Sequence, residues 1–417
     1  MTLDLSGRLS GSVTVPPSKS MAHRLLICAS LADAPSAFIC GEFPDDVGIT
    51  ADCLRGLGTT IKYSDNEFRI WPVGQMQKGI TLECGESGST LRFLLPVAAV
   101  LGADASFTGQ GKLFQRPLSP LHDAMTAHGV QMTAPGNMPL VCHGRLNGGE
   151  YRIDAGISSQ FISGLLFALP LADTDSTIIL EGELKSSPYV NMTINTLLHS
   201  GIKIDCIGNE YQIKGRQTYS AFRRCAVEGD WSAAAFWLTA GVIGHEPVRC
   251  DGLDPDKTLQ GDSAVSGILQ EMGAEIRNGQ DCVTAYPSRL HGIDIDCSDI
   301  PDLVPALSVA AACADGRTTF HNVGRLRFKE SDRISSIQSM LKAFGISSDA
   351  TDDELTVSGG HPVACTADSA HDHRIAMAAA ILASVCDGVT QLQDAGCVGK
   401  SYPGFFNDYR LLGGHIM

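Results

Sequence analysis

The chain is 417 residues long, enough for two or three domains around a large apolar core. With 44 % hydrophobic and 18 % charged residues it has a globular enzyme's composition, and its net charge of -15 argues against the basic face that nucleic acid needs. No signal-peptide pattern stands at Met1-Thr2-Leu3-Asp4-Leu5, and no run reaches the roughly 18 apolar residues of a membrane span.

In chain order, the segment before Pro16-Pro17 reads as a strand lent to the second half of the molecule, the two prolines forming one half of a hinge. Ser18 then opens a helix as an N-cap, and past its first turn that helix is apolar nearly all round. Its polar atoms, Lys19, the Ser20 hydroxyl and Arg24 one turn on, collect at the N-terminal end, where free amides and the helix dipole favour an anion. A capped core helix with solvated charges is the plainer reading of the motif alone.

Similar starts recur at Ser87, Ser158, Asp230, Asp302 and Asp372, at intervals of 69, 71, 72, 72 and 70 residues counted from Ser18. Each is a small polar residue followed by an Ala/Leu-rich run. A second ruler agrees: glycines placed to end a helix fall at 58, 129, 201, 273 and 345. Six repeats follow, each ordered helix, strand, helix, strand, strand. Gly208-Asn209 and Asn278-Gly279 mark hairpin turns, the second being the strongest short hairpin signal in the chain. Serine opens three repeats and aspartate three, which predicts two domains with a crossover near Val227-Glu228-Gly229: residues 17–227, and residues 1–16 plus 228–417. No low-complexity linker separates the halves, so they are expected to enclose a ligand between them.

Candidate chemistry sits at the helix starts and in the turns that begin 27 to 29 residues later, at Asp45 and Asp46, Arg116, Ser186 (with Tyr189 three residues on), Lys257, Lys329 and Lys400. Gly85-Glu86-Ser87-Gly88-Ser89-Thr90-Leu91-Arg92 is a small-residue turn suited to close approach by phosphate, but it lacks the Walker lysine and the dinucleotide spacing. Gln115-Arg116-Pro117 sets a guanidinium before a helix, and Ser158-Ser159-Gln160 offers two hydroxyls and an amide at another. Arg325 to Arg333 packs four cations and two carboxylates into nine residues, with Lys329 and Arg333 on one face if the helix has begun. Taken singly, each of these also reads as a surface charge or a cap. Asp302 opens an almost wholly apolar helix. His371-Asp372-His373-Arg374 offers a pair of histidines without a third ligand, so no metal is expected. Fourteen cysteines, the closest two eleven residues apart, give no CxxC or zinc-finger spacing and read as reduced thiols of a cytoplasmic protein.

The ordered set Pro17-Ser18-Lys19-Ser20-x-x-x-Arg24, Gly88-Ser89-x-x-Arg92, Gln115-Arg116-Pro117-Leu118, Ser158-Ser159-Gln160, Lys329-Glu330-Ser331-Asp332-Arg333 and Asp372-His373-Arg374 closely resembles the 5-enolpyruvylshikimate-3-phosphate (EPSP) synthase family. The resemblance runs from Gly11 to Phe405. It implies an α/β fold of two domains, each of three repeated βαβαββ-type units (an inside-out α/β barrel), with the active site in the cleft between the domains. It implies transfer of the enolpyruvyl group of phosphoenolpyruvate to the 5-hydroxyl of shikimate 3-phosphate, with no cofactor, no metal, no membrane or nucleic-acid partner, and a monomer.

By the same resemblance, Lys19, Ser20, Arg24, Ser158, Ser159, Gln160, Ser186, Tyr189, Asp302, Arg325 and Lys329 hold shikimate 3-phosphate. Lys19, Gly88, Arg116, Gln160, Arg333, Arg374 and Lys400 hold phosphoenolpyruvate, in the site where glyphosate inhibits this family. Asp302, Glu330 and Lys19 are the implied catalytic residues, Asp302 as base toward the attacking hydroxyl and Glu330 as acid toward the methylene carbon. Two positions depart from the pattern: Glu86 stands where many members have Asn, and Arg325 where some do. The sister enzyme that acts on UDP-N-acetylglucosamine has Lys-Asn at the opening motif and a loop cysteine in place of the basic turn. A non-catalytic anion binder on the same scaffold would have no need of paired carboxylates among cations.

Overall fold

The structure, a computed structural model, describes residues 1–75, 79–222 and 224–417. Twelve α-helices alternate with short strands among them: α1 (Lys19–Leu31), α2 (Asp45–Gly56), α3 (Gly88–Val100), α4 (Ser119–Ala127), α5 (Ser159–Ala168), α6 (Ser187–His199), α7 (Trp231–Ile243), α8 (Val265–Glu271), α9 (Val304–Ala312), α10 (Arg333–Ala343), α11 (His373–Ala383) and α12 (Phe405–Leu411). The odd-numbered helices are the apolar runs, and their residues are almost all buried. The even-numbered ones are amphipathic and end, in five repeats, on Gly58, Gly129, Gly201, Gly273 and Gly345. All five take left-handed φ between 79° and 100°, a region a side chain strains, and Gly413 does the same after α12.

Each repeat folds into one four-stranded sheet by the same rule. A first strand pairs in parallel with the strand after the buried helix, and the hairpin after the second helix adds two antiparallel strands, the last lying inside. Every repeat is thus a βαβαββ unit, and the six sheets are open and small, none closing on itself.

The chain ends are interlaced with this pattern. Strand Leu3–Ser6 is the inner hairpin strand of the sixth repeat, lying between Thr390–Gln393 and His415–Ile416, whereas Gly11–Thr14 is the first strand of the fourth, beside Val248–Asp251. The N-terminal segment therefore lends two strands where the sequence predicts one. Cys225–Ala226 in turn supplies the first strand of the first repeat, beside Ser36–Ile39.

The backbone separates into two units. One comprises Lys19–Gly41 and Asp46–Val227; the other comprises Met1–Ser18, Glu42–Asp45 and Glu228–Met417. We call them the amino and carboxy units. In the carboxy unit α7, α9 and α11 pack on one another, and Leu5, Val13, Trp231, Trp237, Leu307 and Ile381 belong to a single apolar core. In the amino unit α3 packs on α5, and α6 on α1 and α5.

One local reading is corrected. Asn278-Gly279 does not make a two-residue turn: the loop spans residues 279–281, closed by the Gly279 amide donating to the Cys282 carbonyl at 2.8 Å. The two-residue turn with both residues left-handed is Asp65-Asn66, at φ 54° and 60°, where Asp and Asn tolerate the conformation through their short polar side chains.

Candidate active site

In the amino unit, the first turn of α1 and the start of α6 are tied by Arg24. This arginine is 2 % exposed. Its Nε donates to Thr193 Oγ1 at 2.9 Å, Nη1 to the Ser20 carbonyl at 2.6 Å and Nη2 to the Tyr189 carbonyl at 2.7 Å. The guanidinium also lies over the Phe93 ring at 5.3 Å, and burial lowers its pKa to about 10. Ser20, Arg24 and Tyr189, 165 residues apart at the extremes of one hydrogen bond, are thus locked together. Lys19 stands one residue before Ser20, its Nζ 3.2 Å from Asp46 Oδ2. Ser186 holds a left-handed φ of 58° ahead of α6 and spends no side-chain bond on capping it.

A second cluster forms around Gly88, the first residue of α3. A Cβ there would lie 3.2 Å from Arg116 Nη1, 3.5 Å from Arg92 Nη1 and 3.5 Å from Gln160 Oε1, so three polar side chains converge on the bare glycine. The Gln160 amide is oriented from both ends: Nε2 donates to Ser89 Oγ at 2.9 Å and Oε1 accepts from Arg92 Nη1 at 2.7 Å. Ser158 caps α5 by accepting from the Gln160 amide nitrogen at 3.3 Å, and Ser159 is buried in the first turn. Arg92 also donates to the Pro117 carbonyl at 2.9 Å, which fixes the turn that carries Arg116. The sequence motif contains Arg92, but its function is visible only here, one helical turn on from Gly88 and facing the same way. The Glu86 carboxylate lies against Gly111, in the space a Cβ would fill.

The carboxy unit gathers the other candidates into one network. Arg333, 1 % exposed at the start of α10, donates to Asp302 at 2.8 Å, to Glu330 at 2.6 Å and to Asp372 at 2.8 Å. Lys329 Nζ lies 3.4 Å from Asp302, Arg374 Nη2 3.3 Å from Asp302, and Lys400 Nζ 3.6 Å from Glu330. Lys329 and Arg333 do not share a helical face, because α10 begins only at Arg333; they meet at the Asp302 carboxylate instead. Arg325 is used differently: its Nη2 donates to the carbonyls of Cys297 and Ser298, holding the basic turn to the segment between strand Asp294–Asp296 and α9. Lys257 is exposed and paired with Asp254 at 3.0 Å. Among the described residues, no three His, Cys, Asp or Glu side chains are arranged to hold a metal ion.

Asp302 departs from its equivalents in a way that makes this network possible. Asp230 caps α7 by accepting from the amide three residues on, Ala233, and Ser87 does the same with Thr90 in α3. Three residues after Asp302 stands Pro305, which has no N–H to give. Ser158 and Asp372 cap through the amide two residues on instead, whereas helix α9 starts at Val304 and the Asp302 carboxylate lies with Lys329, Arg333 and Arg374. Burial alone would raise its pKa, but Arg374, Lys329 and Arg333 outweigh that and hold it well below the usual carboxylate range. Burial lowers Lys329, which Asp302 partly restores.

The geometry has close parallels. The sequence profile described as EPSP synthase (3-phosphoshikimate 1-carboxyvinyltransferase) matches residues 3–409. Proteins named 3-phosphoshikimate 1-carboxyvinyltransferase from Clostridium kluyveri and Clostridioides difficile are 43 % and 40 % identical to the chain, each alignment covering 98 % of it and 96 % of the relative. The solved structure of EPSP synthase from Acinetobacter baumannii superposes with a TM-score of 0.82 at 25 % identity, covering 100 % of this chain and 99 % of that one. The chain belongs to the EPSP synthase family, the 3-phosphoshikimate 1-carboxyvinyltransferases.

Proposed function

We propose that the clusters of the two units divide between them the work of one reaction. In it the enolpyruvyl group of phosphoenolpyruvate passes to the 5-hydroxyl of shikimate 3-phosphate and phosphate is released, a step toward chorismate and the aromatic amino acids. This is the reaction of the family to which the chain belongs. Lys19, Ser20, Arg24, Ser158, Ser159, Ser186 and Tyr189 take the sugar phosphate, and Asp302, Arg325 and Lys329 are assigned to the same substrate. Arg116, Gln160 and the bare edge of Gly88, together with Arg333, Arg374 and Lys400, take phosphoenolpyruvate. The enzyme works in the cytoplasm as a monomer.

The observation that carries this assignment is the pairing of Asp302 and Glu330 through Arg333, one guanidinium holding both carboxylates. Addition needs a proton delivered to the methylene carbon and another removed from the attacking hydroxyl; elimination reverses the first transfer and expels phosphate from the tetrahedral adduct. Glu330 serves the carbon and Asp302 the hydroxyl. In the free enzyme the cations make Asp302 a poor base. An anion bound to Arg374 and Arg333 shares their charge, so substrate binding itself raises the proton affinity of Asp302. A phosphate-release assay with shikimate 3-phosphate and with UDP-N-acetylglucosamine as acceptors tests the assignment. Release is expected only with the first; release with the second alone would overturn it.

A further inference from the structure

Just ahead of Arg374 and Lys400, three non-glycine residues take left-handed backbone, and the proposed chemistry uses none of them. Ala370 and His371, at φ 53° and 56°, precede α11; Asp394, at φ 53°, opens the helical turn Ala395–Lys400. Such conformations persist where the surroundings over-determine them, and an alanine has no polar side chain to ease its own. Both segments converge on one hydroxyl. Ser369, fully buried, donates through Oγ to the Asp394 carbonyl at 3.1 Å and accepts from the His371 amide at 3.2 Å and the Cys397 thiol at 3.6 Å. A hydroxyl has one donor and two acceptor sites, so all three are used. Burial pushes the Cys397 thiol up to about 11, and at neutral pH it therefore carries the proton it donates. The Ser369 backbone joins the same segments, its amide donating to the Gln393 carbonyl at 3.3 Å and its carbonyl accepting from the Asp372 amide at 3.0 Å. Further out, His371 Nδ1 and Asp394 Oδ2 lie 2.7 Å apart and close the same gap a second time.

We propose that Ser369, backed by the His371–Asp394 pair, is a positioning residue that fixes the spacing between Arg374 and Lys400 and thereby the affinity for phosphoenolpyruvate. The proposal rests on the assignment of those two cations as a clamp for that substrate.

His371 stands three residues before Arg374 and Cys397 three before Lys400, so the hydroxyl ties the two chain segments close behind the cations. At their charged ends the cations are tied by another route. Arg374 Nη2 lies 3.3 Å from Asp302 and Lys400 Nζ 3.6 Å from Glu330, and Arg333 holds both carboxylates. Ion pairs and hydroxyl together close a ring. An incoming anion competes with Asp302 and Glu330 for the two cations, which loosens the ionic half of the ring at the moment when spacing matters. The uncharged, buried half does not feel that competition. An exposed ion pair contributes little by itself, so the larger share of the tie falls to Ser369.

The test is the KM of each substrate, with the other saturating, in Ser369→Ala, Lys400→Met, the double variant carrying both, and His371→Gly. In Ser369→Ala the KM for phosphoenolpyruvate should rise about 5- to 20-fold and that for shikimate 3-phosphate less than about 2-fold. General loosening of the unit would not single out one substrate. A residue that acts through the spacing of two cations should lose its effect when one cation is gone. The double variant should therefore lie within about 2-fold of Lys400→Met. An unchanged KM for phosphoenolpyruvate in Ser369→Ala, equal rises for both substrates, or full additivity in the double variant overturns the proposal. If Ser369→Ala does not fold, His371→Gly decides. It removes the outer pair and frees backbone that the hydroxyl holds, and should raise the KM for phosphoenolpyruvate about 2- to 4-fold; an unchanged value overturns the proposal. Lys400→Met separates the two layers. An unchanged KM there removes the clamp assignment and the proposal with it, whereas a raised KM there beside an unchanged one in Ser369→Ala overturns the proposal alone.

Discussion

At the scale of single residues, the site depends on which side chains are released from structural work. Asp302 lies ahead of α9 with its carboxylate on Lys329, Arg333 and Arg374, and Glu330 is held by Arg333 on one oxygen while Lys400 approaches the other. Glu330→Gln keeps the shape and can still accept from Arg333, but it cannot deliver a proton. Turnover should fall on the order of 10²-fold or more, with much smaller changes in the KM of either substrate. Near-normal turnover would take Glu330 out of the mechanism. Gly88→Ala probes the other cluster. The new methyl would stand 3.2 Å from Arg116 Nη1, close enough that the guanidinium must retreat by a few tenths of an ångström. The KM for phosphoenolpyruvate should rise modestly. The inhibition constant of glyphosate, whose phosphonomethyl arm is longer than the substrate it displaces, should rise more. A ratio of the two constants equal to the wild type's would show that Gly88 does not line this pocket.

At the scale of elements, the buried helices of the amino unit are joined by a thread of polar groups. His23 Nδ1 and Thr50 Oγ1 are 2.8 Å apart, Thr50 and Thr90 hydroxyls 2.6 Å, and Thr90 Oγ1 donates to Ser87 Oγ at 2.7 Å, linking α1, α2 and the cap of α3. Burial, with Lys19 and Arg24 nearby, depresses the His23 pKa well below its ordinary value. The folded protein therefore keeps His23 neutral while the unfolded chain protonates it below about pH 6.5, so its contribution to stability falls with pH at up to about 1.4 kcal/mol per unit. Asp262, raised in the fold, works in the opposite sense between about pH 6 and the ordinary carboxylate range. The difference between wild type and His23→Gln isolates the histidine. Denaturant unfolding from pH 7 to pH 5 should show a shallower loss in the variant, and identical slopes would mean that His23 titrates normally in the fold.

At the scale of the whole molecule, the carboxy unit cannot be completed until both chain ends are present. Leu5, fully buried, sits on the strand that joins Thr390–Gln393 to His415–Ile416, and it shares a core with Trp231 and Trp237. Leu5→Asp puts an unpaired charge into that core and should destabilise the unit by about 3 kcal/mol or more. The third tryptophan, Trp71, belongs to the amino unit, so in a Trp71→Phe background fluorescence reports the carboxy unit alone. Its midpoint should move to lower denaturant in Leu5→Asp, and an unmoved midpoint would mean that the N-terminal strand is dispensable.

The repeat, the buried helices and their glycine stops were legible in the sequence because each rests on spacing. A helix that is apolar all round and a left-handed glycine after its partner are local or periodic features, and their recurrence from repeat to repeat makes them unmistakable. What the tertiary structure decided is which groups share a charge. Asp302 and Glu330 meet on Arg333, Arg92 orients Gln160 from 68 residues away, and Arg24 ties α1 to α6. The reading of Asp302 as a helix opener failed because its carboxylate is taken by Lys329, Arg333 and Arg374, which lie 27 to 72 residues along the chain, and α9 starts two residues later. The reading of Lys329 and Arg333 as one helical face failed because the turn before α10 is not yet helix. Pairings across dozens of residues have no period. They exist only once separate repeats are packed, where burial strengthens every charge interaction and makes a choice of partner obligatory.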